Sequence, residues 1–223
     1  MGRDFSGAAG NFLATTGSPP NLELGTVNGP YSFGAWVRAD ATNGERTVMS
    51  KYQSRGPTLR VFDGKLRMFT INSGDSGQEA IGATTIPTGV WVHVGGNFDG
   101  TTAIRVMVNG VQDATAPMTG QMVASQSPNW HIGRRADGVA IFDGRICEAF
   151  LSMAHLSNAE WLALARGVSP ILVRPAALAG YWPIWGVGAP EVNLVSPLGP
   201  MIVNGSLPVV DHAPSGPPVA VAA

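Results

Sequence analysis

Charge is what this 223-residue sequence has least of: Asp, Glu, Lys and Arg make up 13%, against about a quarter in ordinary globular proteins. The 14 basic and 15 acidic residues nearly cancel, leaving a net charge of −1. No basic stripe is present to displace counterions from phosphates, which excludes a nucleic-acid groove. Cysteine is almost missing too. Cys147 stands alone, so no intrachain disulfide forms, and the thiol reads as a small buried apolar group. No run approaches the roughly 20 apolar residues of a membrane-crossing helix. Nor does the opening Met1-Gly-Arg-Asp-Phe-Ser-Gly7 have the charged start and apolar stretch of a secretory signal. Taken as a complete chain, it is expected to be made in the cytoplasm without a signal peptide and to stay clear of membranes.

What is present is turn chemistry. The 29 glycines and 17 prolines are spread along the chain among 44% hydrophobic residues, and this length suits one large all-β domain. Tyr31 to Arg38 reads as a strand, with Phe33 and Ala35 on one face and Trp36 on the other. Thr58 to Phe62 meets Lys65 to Phe69 across Asp63-Gly64, a pair that takes the positive φ angles of a tight hairpin turn. Val90 to Phe98 turns at Asp99-Gly100 into Ala103 to Val108, which turns at Asn109-Gly110, making a meander. His131 to Gly133, Ala140 to Phe142 and Arg145 to Leu151 continue the series. Strands recurring at this spacing predict a two-sheet antiparallel sandwich.

One helix interrupts them near 157–166. Ser157 and Glu160 form a capping box, Trp161, Leu164 and Ala165 share a face, and Gly167 stops the helix. The segment 178–186, around Tyr181-Trp182, is expected to supply a closing strand for a single domain spanning 1–212. The alternative is an arm reaching into a neighbouring subunit. Residues 213–223, rich in Pro, Ala and Val, read as a tail.

In order along the chain, Tyr31-Ser-Phe-Gly-Ala-Trp-Val-Arg38 with Val48 to Lys51, Gly89 to Val94 with Asn97 to Thr101, Val106 to Gly110, His131 to Gly133, and Phe142 to Ile146 leading to Leu156-Ser157 resemble the laminin-G-like, concanavalin A-like lectin/glucanase superfamily. The resemblance implies a jelly roll of two curved antiparallel sheets. More loosely, the chain resembles compact members of that family found among phage structural proteins.

The family's hydrolases carry a Glu-x-Asp-x-x-Glu type of array, because glycoside hydrolysis needs two carboxylates on one face. Here Glu148 stands alone, with Cys147 before it. His93, His131, His155 and His212 lie in no nucleophile elbow and have no close metal-ligand spacing. Sugars stack on exposed rings edged by polar groups, which points to Trp130 and Tyr52. Calcium, bound by several relatives, needs clustered oxygen ligands; Asp75, Glu79 and Asp137 are the loop residues able to contribute.

Three functions follow in order. The first is a non-enzymatic virion surface protein, a phage capsid decoration that contacts the major capsid protein and itself, as a homo-oligomer such as a trimer, through apolar arms at Phe5 to Leu13 and Pro208 to Ala223. The second is a glycan-binding adhesin module with or without calcium. The third and weakest is a glycoside hydrolase.

Overall fold

The computed structural model describes residues 2–16, 29–120, 122–123, 125, 127, 129–195 and 198–213. In chain order its strands are β1 (Gly2–Asp4), β2 (Phe12–Thr15), β3 (Tyr31–Ala39), β4 (Glu45–Ser50), β5 (Thr58–Phe62), β6 (Lys65–Ile71), β7 (Gly77–Thr85), β8 (Val92–Phe98), β9 (Ala103–Val108) and β10 (Val111–Pro117). After them come β11 (His131–Ile132), β12 (Gly144–Ser152), helix α1 (Asn158–Ala165), β13 (Leu178–Trp182), β14 (Met201–Asn204) and β15 (Val209–Val210).

These strands build two antiparallel sheets. The first has the order β10-β9-β8-β3-β12-β1-β15, with β13 also paired to β12, and the second has the order β14-β2-β11-β4-β5-β6-β7. Alternation decides what each face carries. On β3, Tyr31, Phe33, Ala35, Val37 and Ala39 enter the core. Leu59, Val61, Leu66 and Met68 oppose them from the second sheet, and Phe33 packs on Trp130 with ring centroids 5.6 Å apart. Asp113 joins the outer strands β10 and β7, its carboxylate accepting from the amide and hydroxyl of Thr84 at 3.0 Å and 2.6 Å.

Both ends of the chain belong to this sandwich. Phe5 to Leu13, expected to be a free arm, is built in: β1 pairs with β12, β2 pairs with β11, and Phe5 and Leu13 are fully buried. Phe5 lies against Gly133, where φ is +85° and a Cβ would sit 2.2 Å from the ring, so only glycine fits. Segment 178–210 likewise serves the same molecule, since β13 pairs with β12, β14 with β2 and β15 with β1. Of the expected C-terminal arm, Val209–Val210 is this sheet strand. Ala213 is buried, and 214–223 lie outside the described residues.

β12 changes partner part-way. Arg145 and Ile146 pair with β1, whereas Ala149 to Ser152 pair with β13. The handover falls on Glu148, whose φ is +53° and whose amide donates to the Pro183 carbonyl at 3.1 Å. One strand the sequence reading missed is β7. Glu79, expected in a loop with Asp75, lies in this strand: the turn is confined to about 72–76, and Gln78 and Glu79 pair with β6. Ala140 to Phe142 is not a strand either; Phe142 packs against Phe5 edge to face at 6.5 Å.

The helix decides which sheet face is open. Ser157 and Glu160 form the expected capping box. From α1, Trp161 and Leu164 pack on Met107, Phe150, Leu156, Leu178 and Tyr181, covering the outer face of the first sheet. Gly95 provides the seat: a Cβ there would lie 2.1 Å from the Trp161 ring. The second sheet has no such cap, and α1 is the one α-helix among the described residues.

Candidate functional site

The outer face of the second sheet is built by strict pairing. Arg60 lies opposite Arg67, Phe69 opposite Glu79, Glu45 opposite Phe62, and His131 opposite both Ala14 and Ser50. Alternation therefore sends Phe12, His131, Glu45, Arg60, Phe62, Arg67, Phe69 and Glu79 to one side while their neighbours fill the core. Such long polar and aromatic side chains are tolerated because their heads stay at the surface and their stems cover the sheet.

Rings and guanidinium groups alternate across it. Arg67 lies 4.4 Å from the Phe62 centroid, Arg60 5.1 Å from Phe69, Arg135 5.2 Å from Tyr52 and Arg134 3.2 Å from Phe12. Tyr52 meets Phe69 edge to face at 5.6 Å. Carboxylates lock this layer. Glu79 takes Arg60 at 2.6 Å and Arg67 at 3.3 Å; Glu45 takes Arg60 at 2.6 Å and Arg135 at 3.2 Å. Asp137 holds Arg135 at 2.5 Å, and this hydrogen bond leads the effects that push the Arg135 pKa up. The side chains are half-buried, so rotamers are restricted while polar edges still reach water. His131 is 6% exposed, and burial, then the Arg134 cation, pull its pKa down to about 4.

This geometry sorts the candidates of the sequence. Tyr52 stands on the open face, half-buried. Trp130 does not: it is fully buried beneath the sheet against Phe33 and has no free ring face for a sugar. Its amide donor goes to Thr15 Oγ1 at 3.0 Å, so the residue is part of the core. The carboxylates proposed for calcium do not converge. Asp75 sits in the β6–β7 turn bound to Arg55 at 2.5 Å, Glu79 is shared by Arg60 and Arg67, and Asp137 belongs to Arg135. Arginine neutralises each of them, and no group of three or more His, Cys, Asp or Glu side chains is placed to hold a metal among the described residues.

Glu148 occupies a different place, on the helix-covered face. Its carboxylate accepts from the Tyr181 phenol and lies 2.9 Å from His212 Nε2. The small pocket it shares with Trp36, His93, Leu164 and His212 has room for about one water, with no second carboxylate in its lining. Burial pulls the His93 pKa down to about 3, and pushes Cys147 up to about 12. These are settled interior groups. The sequence reading missed Trp185, which is 40% exposed; the Gly-rich stretch after Pro183 was its available signal.

Residues 12–160 match the family model of the concanavalin A-like lectin/glucanases superfamily. The chain belongs to that superfamily. No curated protein matches the sequence. Among solved structures, this lectin/glucanase-superfamily chain is similar to a candidate carbohydrate binding protein from Bacteroides ovatus, with 17% identity and a TM-score of 0.72, over 95% of this chain and 60% of that one. It is also similar to the binding domain of botulinum neurotoxin serotype G, at 10% identity and TM-score 0.59, over 73% and 41% of the two chains. A third likeness is to domain 4 of an extracellular arabinanase from Geobacillus stearothermophilus, in complex with arabinotriose, at 22% identity and TM-score 0.50, over 61% and 66%. This member of the superfamily thus spans 60% of the Bacteroides protein's length, and at these identities the likeness establishes the fold.

Proposed function

We propose that this protein is a carbohydrate-binding module whose glycan lies across the open face of the second sheet. The observation that carries the reading is the layer of half-buried rings and ion-paired guanidiniums on the sheet face that α1 leaves uncovered. Ring faces at Tyr52, Phe62 and Phe69 suit the C–H side of a sugar, and the fixed Arg60, Arg67, Glu45 and Glu79 edges suit its hydroxyls. Because the ion pairs already hold the side chains, little ordering remains when a ligand arrives. The descriptions of the Bacteroides protein and the arabinanase domain support the same class of ligand.

Glycan-array binding by wild type and by Tyr52→Ala and Phe69→Ala tests it. Both variants are expected to lose roughly two- to tenfold in affinity, given about 0.5–1.5 kcal/mol per stacking ring. Wild-type binding left intact by both substitutions would remove this face as the site.

The exposed apolar rim supports a second reading, a place on a virus particle bound to a capsid protein and to further copies of itself. The expected N-terminal arm is folded into the sandwich, so such contacts would come from Trp185, Val187, Val192 and Val209, all at least 40% exposed. Co-sedimentation with empty capsids is expected to be lost on Trp185→Ser together with Val187→Ser. Failure of the wild type to sediment with any capsid counts against the reading.

A further inference from the structure

The open face is not electrically uniform. Over most of it, three cations, Arg60, Arg67 and Arg135, are answered by three anions, Glu45, Glu79 and Asp137. At the β2–β11 end this balance stops. Arg134 has no carboxylate within ion-pair distance among the described residues; its one hydrogen bond there is a long 3.5 Å contact from Nη1 to the Ala9 carbonyl, and its Nε has no partner. The nearest acid to influence it, Asp137, is already engaged by Arg135. Phe12 lies flat enough beneath the guanidinium to bring its centroid within 3.2 Å, and the Phe12 ring is 5.7 Å from His131. Lys51 adds positive potential at His131 and turns its Nζ to the Ser127 carbonyl at 2.8 Å.

A second observation agrees. His131 is 94% buried on this face, and the hydrogen bond that its ring makes is with the Asn129 backbone. The Arg134 cation acts on this imidazole more strongly than the one carboxylate that reaches it, Asp137, which Arg135 already engages, so a negative ligand at Arg134 would relieve it.

A guanidinium held on a ring, with free donors and no acid of its own, is the arrangement that receives a planar anion. We propose that Arg134 binds the acidic group of an anionic sugar, a carboxylate or a sulfate, and that the ligand of the open face is therefore an acidic glycan. This inference rests on the glycan reading and narrows it. Two hydrogen bonds from one guanidinium fork would form as the anion leaves water, and partial burial at Phe12 strengthens them relative to a fully exposed pair. The balanced Arg60, Arg67 and Arg135 would contact neutral parts of the same chain.

Calorimetric titration with two matched pairs tests it: trigalacturonate against its methyl ester, and 3′-sialyllactose against lactose. The wild type is expected to bind at least one acidic member about tenfold or more tighter than its neutral mate, the size of one charge-assisted hydrogen bond, with the preference shrinking at high salt. Arg134→Gln is expected to abolish that preference while leaving neutral binding in place, and Arg134→Lys to restore part of it. Thermal melts of both variants confirm that they are folded, and the lysine variant serves if the glutamine one is not. Binding of acidic and neutral mates alike, or an acid preference surviving in Arg134→Gln, overturns the acidic-glycan inference and leaves the glycan reading standing. No binding of any of the four by the wild type overturns this inference, and the glycan array then decides the glycan reading separately: binding of other glycans keeps it and binding of none removes it. The imidazole signal of His131 gives a readout that simple packing would not move: its pKa, about 4 in the free protein, is expected to rise with the acid and stay put with the ester.

Discussion

His93 and His131 make the behaviour of single residues in this molecule testable through acid. Burial leads in both cases, with the Arg134 and Lys51 cations adding at His131, and the folded pKa values are about 3 and about 4 against an ordinary 6.5. Between those values the unfolded chain takes up protons that the folded chain refuses. Their contribution to stability is therefore complete above about pH 6.5 and declines as pH falls through the window, by up to about 1.4 kcal/mol per pH unit for each imidazole, levelling below the folded values. Denaturant midpoints measured across that range should fall, and His93→Gln should flatten the slope. An unchanged slope in that variant would show that His93 is not buried neutral. Asp99 separates from this window, because the amides of Thr101, Thr102 and Ala103 overcome burial and hold its carboxyl well below the usual range.

Trp130 makes a contrasting residue-scale case. The sequence offered it as a sugar platform because Asn129 and His131 flank it, but flanking polarity says nothing about which way a ring points. Since Trp130 is fully buried on Phe33, Trp130→Ala is expected to cost about 3–5 kcal/mol. Chemical unfolding measures this, and a loss under 1 kcal/mol would place the ring outside the core. Tyr52, flanked in the same way by Lys51 and Gln53, is half-buried on the open face although Lys51 beside it is fully buried. In the sequence its partner Phe69 is one more aromatic in a strand, and only the pairing with Thr58 and Glu79 decides that it faces outward.

Among the elements, α1 was the most legible and the most consequential. Its capping box is local chemistry that four consecutive residues contain, so sequence places its start at Ser157. Where it docks is not local. Trp161 lands on Gly95, some 66 positions earlier, and covering the first sheet is what leaves the second open. Gly95→Ala forces a Cβ into the indole, 2.1 Å from it, and is expected to destabilise by about 1–3 kcal/mol through overpacking. Thermal unfolding with indole fluorescence as the probe reports both the loss and the moved ring. Retention of the wild-type midpoint and spectrum would argue against this seat. Strand β7 shows the opposite case. Gln78, Glu79, Gly82 and Thr84 lack the apolar alternation of a strand, and the segment takes that form because β6 presents a free edge to it.

For the whole molecule, closure depends on residues far apart in the chain. Arg3 and Glu191, 9% and 3% exposed at their side chains, meet at 2.6 Å; Arg3 also donates to the carbonyls of Leu207 and Gly188, and Glu191 accepts from the Gly186 amide. This buried pair fastens the first strand to the loop between β13 and β14. Removing one partner strands the other charge, so Arg3→Ala is expected to cost about 3–5 kcal/mol and to expose 183–191 to protease. A variant as stable and as protease-resistant as the wild type would show that the sandwich closes without the pair.

Local pattern in the sequence was enough for the strands bounded by Asp63-Gly64, Asp99-Gly100 and Asn109-Gly110, for the capped helix and for the ordered motifs of the superfamily. Each of these depends on backbone preferences and on periods of 2 and 3.6 that neighbouring residues carry themselves. Tertiary structure alone decided that Phe5 and Leu13 are core, that Trp130 is hidden, that the candidate calcium carboxylates are each held by an arginine, and that Arg134 is left without one. Those outcomes depend on which distant strands pair and which face a helix covers, and for strand residues such as Leu13 a one-residue change of register would have turned the side chain to the other face.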